Sequence, residues 1–177
     1  PGTQIIVFYP SEGVSDIQKQ QMITQAGKNV KVFGIEGNFD DAQRGVKEIF
    51  GNTALSDELA KKGYTFSSAN SINWGRLVPQ IVYYFSAYVD AVKAGKITAG
   101  DPINFVVPTG NFGDILAGYY TKLMGLPIDR LLCASNSNNV LTDFINTGVY
   151  DRRREFFKTV SPSMDILISS NLERLIY

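Results

Sequence analysis

The sequence predicts an α/β protein with parallel sheets flanked by helices. Three observations point there. Short β-branched or apolar runs alternate with helix-length stretches along the whole chain, the pattern of βαβ units with right-handed crossovers. Two of those runs, QIIVFYP and INFVVPTG, carry a proline at or near their end and give way to a small polar loop. The composition, 44% hydrophobic and 19% charged over 177 residues, supplies one large core or two small lobes.

Each element follows from its local residues. Residues 4–10 are β-branched and close at Pro10, so they form a strand. Residues 11–27 are a loop and then a helix, with Asp16 as N-cap and Gly27 as C-cap. NVKVFGIEG (29–37) is the next strand. Residues 38–51 form a helix whose acids sit in the first turn, where they suit the dipole. A short helix over 56–63 and a short strand over 64–70 follow. Residues 73–95 make a long helix, apolar on one side, with Pro79 either kinking it or sitting near its true start. Its aromatic set, Tyr83, Tyr84, Phe85 and Tyr88, fits a buried face. A strand over 103–110, a helix over 112–125 closed by Gly125 and Pro127, and a strand over 130–136 form the next unit. A short helix or turn over 140–148 and a helix over 164–177, capped by Ser161 or Ser163, complete the chain. The lobe boundary falls in the small polar stretch SSANSIN, which gives 1–66 and 67–177.

Composition excludes several classes of function. Lys plus Arg and Asp plus Glu are 17 each, and zero net charge argues against a nucleic-acid or membrane-surface partner. The chain has no histidine, which removes Ser-His-Asp and Cys-His sites and most zinc sites; no metal is expected. Its single cysteine, Cys133, reads as a small core residue, so no internal disulfide exists and a reducing, cytoplasmic setting fits. No run approaches the roughly 20 apolar residues of a membrane span. The chain does not open on methionine, and it reads as a piece of a longer protein.

The stretch VVPTGNFGDILAGYY carries the strongest chemical signal. A strand runs into a glycine-containing turn and a helix starts at once. Ligands of open α/β sheets sit at the carboxyl ends of strands, where helices point free N–H groups and the positive end of their dipole. TGNFG therefore looks like an anion cup, most simply for a phosphate. It lacks the GK[ST] of a Walker loop and the GxGxxG of a dinucleotide turn. A glycine-containing turn without a ligand explains the shape equally well.

SSANSINWGR offers Asn70, Ser71 and Arg76 before a long helix, again suited to phosphate or carboxylate. An ordinary helix cap with a surface arginine is the competing reading. CASNSNN is a third polar loop, most simply a turn. DRRREF reads as a solvated charged turn. SPSMDILISSNLER mixes small polar and apolar residues in an unusual way, and a site role for it stays open.

Three of these stretches, SSANSINWGRLVPQIVYYF, VPTGNFGDILAGYY and SPSMDILISSNLERL, resemble threonine synthase in order and spacing, over essentially the whole chain. The resemblance implies the tryptophan synthase β-like fold (fold type II) and pyridoxal 5'-phosphate (PLP) as cofactor. It implies a parent that converts O-phosphohomoserine and water to threonine and phosphate. Gly110, Asn111, Phe112 and Gly113 would then bind the PLP phosphate, with the Asp114 carboxylate pointing away. Asn70, Ser71 and Arg76 would clamp the substrate phosphate. The family's Schiff-base lysine belongs to an upstream segment, and none of the lysines here sits in its motif. This chain is accordingly expected to hold no catalytic residue and to be inactive alone. Residues 1–66 would belong to the smaller lobe, and 67–177 to the larger, PLP-phosphate-binding lobe. A serine/threonine dehydratase, a cysteine synthase or a non-catalytic Rossmann-like module for a phosphate ligand remain as alternatives. The resemblance says nothing of oligomeric state.

Overall fold

Two parallel strand pairs organise the chain. The computed structural model describes residues 2–69 and 73–177. These fall into two compact units, Pro1–Phe66 with Lys158–Pro162, and Ser67–Phe157 with Ser163–Tyr177.

In the first unit β1 (Ile5–Pro10) pairs in parallel with β2 (Val30–Ile35), in register from Ile5 opposite Val30 to Pro10 opposite Ile35. The crossover contains α1 (Asp16–Ile23). Its N-cap is Ser15 rather than Asp16, because Ser15 and Gln18 satisfy each other's free backbone N–H groups in a capping box. The helix also stops short of Gly27, at Thr24, which bonds back to Gln20 through both its N–H and its hydroxyl. Asn38 and Asp41 form a second reciprocal cap for α2 (Phe39–Gly51). The side chain of Asn52 caps α3 (Thr53–Lys61), which starts three residues before the expected point. Residues 64–69 form no strand. Their aromatic content favours a pleated surface, but no ladder partner lies beside them among the described residues, and Phe66 instead packs on Phe50 at 5.3 Å.

The second unit holds the larger core. The expected long helix is in three pieces: α4 (Trp74–Leu77), a 3-10 turn over Val78–Gln80, and α5 (Ile81–Lys93). Pro79 has no N–H to give, and its ring crowds the carbonyl one turn back, so the break falls there. On α5, Tyr84 and Tyr88 are buried and Phe85 is partly so, while Tyr83 faces outward; three of the four aromatics thus follow the expected face. β3 (Ile103–Pro108) and β4 (Ile128–Ala134) pair in parallel around α6 (Gly113–Leu123). The register slips between Ile103 and Phe105, where the Asn104 side chain accepts the Arg130 N–H at 2.8 Å. Leu77, Leu116 and Ala117 are fully buried, with Val107, Ile115, Val140 and Leu141 around them. α7 (Val140–Thr147) follows β4 and closes at Gly148, in the left-handed region at φ 74°.

The last segment departs most from expectation. Residues 164–177 hold one regular turn of α-helix, α8 (Glu173–Ile176), preceded by a 3-10 turn at Pro162–Met164. Neither Ser161 nor Ser163 caps α8, whose N-cap position is Leu172. Ser169, Ser170 and Asn171 spend their polar groups on Gly110 and Asn111. Among the described residues no helix is long and apolar enough to cross a membrane.

Candidate functional site

β3 delivers the chain to Thr109, which is held to β4 by its N–H on the Ala134 carbonyl at 2.8 Å. Gly110 and Asn111 turn the backbone, and Phe112 enters the left-handed region at φ 64°. Phe112 is the only such non-glycine among the described residues. That conformation costs about 1 kcal/mol, and its buried side chain, part of the core cluster, offsets it. The glycines have other tasks than positive φ. A Cβ on Gly110 would stand 3.1 Å from both the Met164 Cα and the Ile166 Cδ1, so Gly110 lets the C-terminal segment close on the turn.

The result is a cup of donors. The Leu116 N–H already returns to the Phe112 carbonyl, at 3.1 Å. Before it, the N–H groups of Gly110, Phe112, Gly113, Asp114 and Ile115 meet no acceptor among the described residues. These residues help line a cavity of about 150 Å³ formed by residues 108–115 and by Gln80 from the 3-10 turn. Alternating left- and right-handed backbone at 112–113, the helix dipole and free N–H groups together favour an anion.

The outer side of the turn is buttressed. Ser169 Oγ donates to the Gly110 carbonyl at 2.9 Å. The Ser170 N–H and Oγ both donate to Asn111 Oδ1, at 2.9 and 2.8 Å. The Asn171 Nδ2 and N–H both donate to the Asn111 carbonyl, at 3.0 and 3.2 Å. Asn171 is 1% exposed and accepts from Arg174, whose guanidinium lies over the Trp74 ring. Sequence reasoning missed this brace, although it had marked the segment as unusual. It also missed Gln80, and Tyr84, whose hydroxyl donates to Asp114 at the start of α6.

Arg76 lies on α4, exposed and with no ion pair or side-chain hydrogen bond among the described residues. Asn73 caps that helix: its Oδ1 accepts the Gly75 N–H at 2.9 Å and its Nδ2 donates to the Ser68 carbonyl at 2.7 Å. Gln80 Nε2 donates to the Arg76 carbonyl at 2.6 Å, so one residue touches both the cavity and the arginine's backbone. Asn70 and Ser71 lie outside the described residues.

The third polar loop is structural. Asp165, 3% exposed, accepts from Asn136 at 2.7 Å and Asn138 at 3.1 Å, and Asn138 exchanges bonds with the backbone of Phe157. Cys133 is half-buried, and burial pushes its thiol up, with a hydrogen bond to Thr109 opposing. In DRRREF, Arg154 is tied to Asp143 at 2.8 Å and to Asn139 at 3.1 Å, so that turn is more than a solvated charge run.

No family model matches the chain. It is 52% identical over 172 residues to human threonine synthase-like 1, an alignment covering 96% of this chain and 23% of that protein. It is 46% identical over 175 residues to threonine synthase of Eremothecium gossypii, covering 98% of this chain and 32% of that one. The crystal structure of PLP-bound threonine synthase from Brucella melitensis superposes with a TM-score of 0.78 at 45% identity, over 99% of this chain and 36% of that one. The chain therefore spans a quarter to a third of the curated relatives it matches. Its parallel sheets flanked by helices are the tryptophan synthase β-like fold of these neighbours, as expected.

Proposed function

Because the chain belongs to the threonine synthase family, we propose that it is the phosphate-holding part of a PLP-dependent lyase. That parent converts O-phosphohomoserine and water to threonine and phosphate. The carrying observation is that Gly110 and Phe112–Ile115, whose N–H groups have no acceptor among the described residues, line one small cavity. A phosphate monoester fits this donor set: it is anionic and it accepts from several directions.

In this reading Gly110, Asn111, Phe112 and Gly113 hold the PLP phosphate, with the buttress from Ser169, Ser170 and Asn171 fixing the turn. When bound, PLP supplies an electron sink for carbanions formed at the substrate. Arg76 binds the substrate phosphate together with Asn70 and Ser71 and stabilises the charge that develops as it leaves. An exposed guanidinium with no partner among the described residues has its fork free for a dianion. The two phosphates thus have different duties, one a handle that never reacts and the other a leaving group. Residues 1–66 belong to the smaller lobe of the parent and 67–177 to the larger. The residue that carries the cofactor covalently lies outside this chain, which is inactive alone.

The test is phosphate release from O-phosphohomoserine by the full-length parent, with and without PLP. PLP-dependent release is the expected outcome. Turnover of serine or threonine without phosphate release would move the function to a dehydratase. Phosphate-ligand binding with no PLP-dependent turnover of either kind would leave a non-catalytic module.

A further inference from the structure

Asp114 poses a problem for the proposed cofactor site, on which this inference rests. It is the second residue of α6, beside the N–H groups that face the cavity. An acid at that position suits the helix dipole, as a bound phosphate does. Its carboxylate is also an acceptor within reach of the same free N–H groups. Left to itself it would cap the cup and repel a phosphate dianion. Among the described residues, none of the N–H groups of Gly113, Asp114 or Ile115 is capped by it.

Tyr84 accounts for that. Its hydroxyl lies 2.9 Å from the Asp114 carbonyl oxygen and 3.2 Å from Asp114 Oδ1, so one O–H is shared between both acceptors. In an α-helix the carbonyls point toward the C-terminus and the N–H groups toward the N-terminus. A hydroxyl that reaches both the carbonyl and Oδ1 draws the carboxylate to the carbonyl side, away from the donors of the cup. The approach is made possible by Gly118, where a Cβ would stand 2.7 Å from the Tyr84 ring. Tyr84 itself is 4% exposed and packs edge-on against Phe105, with ring centroids 4.9 Å apart. Burial, then the nearby Asp114 charge, raises the phenol's pKa far above its ordinary value, so it stays a donor at any physiological pH.

We propose that Tyr84 is a positioning residue for the cofactor phosphate: it holds the Asp114 carboxylate off the anion cup. Removing only the hydroxyl frees the carboxylate to swing toward the N–H groups. Both donor competition and charge repulsion then weaken the phosphate. At a separation of a few ångströms and a solvated dielectric, the repulsion alone is worth on the order of tenfold in affinity.

The experiment measures PLP and inorganic phosphate binding by equilibrium dialysis on the full-length parent. The proteins are wild type, Tyr84→Phe, Asp114→Asn and the double variant. Tyr84→Phe is expected to weaken both ligands about tenfold, less so at high salt. Asp114→Asn should bind at least as well as wild type, and the double variant should recover to within about threefold of it. A purely structural role for Tyr84 predicts no rescue, because removing Asp114's charge cannot repair lost packing. Failure of the double variant to recover, or a loss in Asp114→Asn as large as in Tyr84→Phe, overturns the proposal. If Tyr84→Phe does not fold, Gly118→Ala displaces the same hydroxyl and is judged by the same rescue. Wild type binding phosphate but not PLP would sink the cofactor reading while the variant order still judges Tyr84. Wild type binding neither would overturn both.

Discussion

The turn at Gly110–Gly113 and the start of α4 at Asn73–Arg76 both present an anion-seeking surface, yet they are built in opposite ways. The turn uses backbone. Its donors are N–H groups that cannot rotate away, and its outer face is held by bonds from Ser169, Ser170 and Asn171. The start of α4 uses a side chain: Arg76 is exposed and unpaired among the described residues, while only the backbone beneath it is fixed, by Asn73 and Gln80. A group that must stay for many turnovers is best held by fixed dipoles, which cost no reordering. A group that must leave is best held by a long, solvated side chain that can follow it. The architecture thus matches the proposed division between a cofactor handle and a leaving phosphate.

The largest effect that would break this contrast belongs to Arg76. Arg76→Ala in the full-length parent should lower kcat/KM for phosphate release about a hundredfold, with kcat falling as well as KM rising. Arg76→Lys should recover only part, because an ammonium lacks the bidentate fork. PLP affinity should stay within about twofold in both. A variant that loses PLP along with turnover would show that the two anion sites are not separate.

A smaller effect tests the buttress. Asn171 is almost fully enclosed and joins the Asn111 carbonyl to Arg174. Asn171→Ala leaves Arg174 without that acceptor and the carbonyl with one donor fewer. A loss of about 2 kcal/mol in urea unfolding is expected, together with several-fold weaker PLP binding. KM for O-phosphohomoserine, read at saturating PLP, should be unchanged. Weakened substrate binding with normal PLP affinity would place the brace on the wrong site.

How much of this was legible beforehand depended on range. Four of the five strand runs and an interruption at Pro79 are local or periodic signals and were read from the residues, whereas the strand expected over 64–70 did not form because no ladder partner lies beside it among the described residues. The cup was located by the strand–glycine–helix succession, but not the detail of its strain: the left-handed residue is Phe112, while Gly110 and Gly113 keep ordinary φ. The helix expected over 164–177 failed for a reason no local rule contains. Its Ser-Ser-Asn is consumed by partners 59 and 60 residues away, and residues that bond through their side chains give up helix readily. Tyr84 was read as a core aromatic and is one, yet its hydroxyl ends on a site residue 30 positions later. The cap at Ser15 was missed by one residue, since Ser and Asp compete for the same role, and α3 begins three residues before the range read from the sequence because Asn52 caps it.

The smallest prediction concerns one arginine of the DRRREF turn, and it sharpens what makes Arg76 different. Arg154 has its guanidinium satisfied: Nη2 meets Asp143 at 2.8 Å, Nη1 meets Asn139 at 3.1 Å and Nε meets the Asp151 carbonyl at 3.2 Å. Its side chain is 25% exposed and that of Asp143 44%, so solvent screens much of the attraction. Arg154→Ala should therefore cost about 1 kcal/mol in urea unfolding, the upper end for such pairs because of the two added bonds. PLP affinity and phosphate release should not move. An arginine whose donors are already spoken for contributes to the fold, whereas Arg76, with none engaged among the described residues, has its fork free for the proposed substrate phosphate. From sequence alone the two are alike, because what separates them is whether the fold brings an acceptor within 3 Å. If Arg154→Ala cut phosphate release as deeply as Arg76→Ala, that distinction would fail, and with it the argument that an unpaired guanidinium marks the clamp.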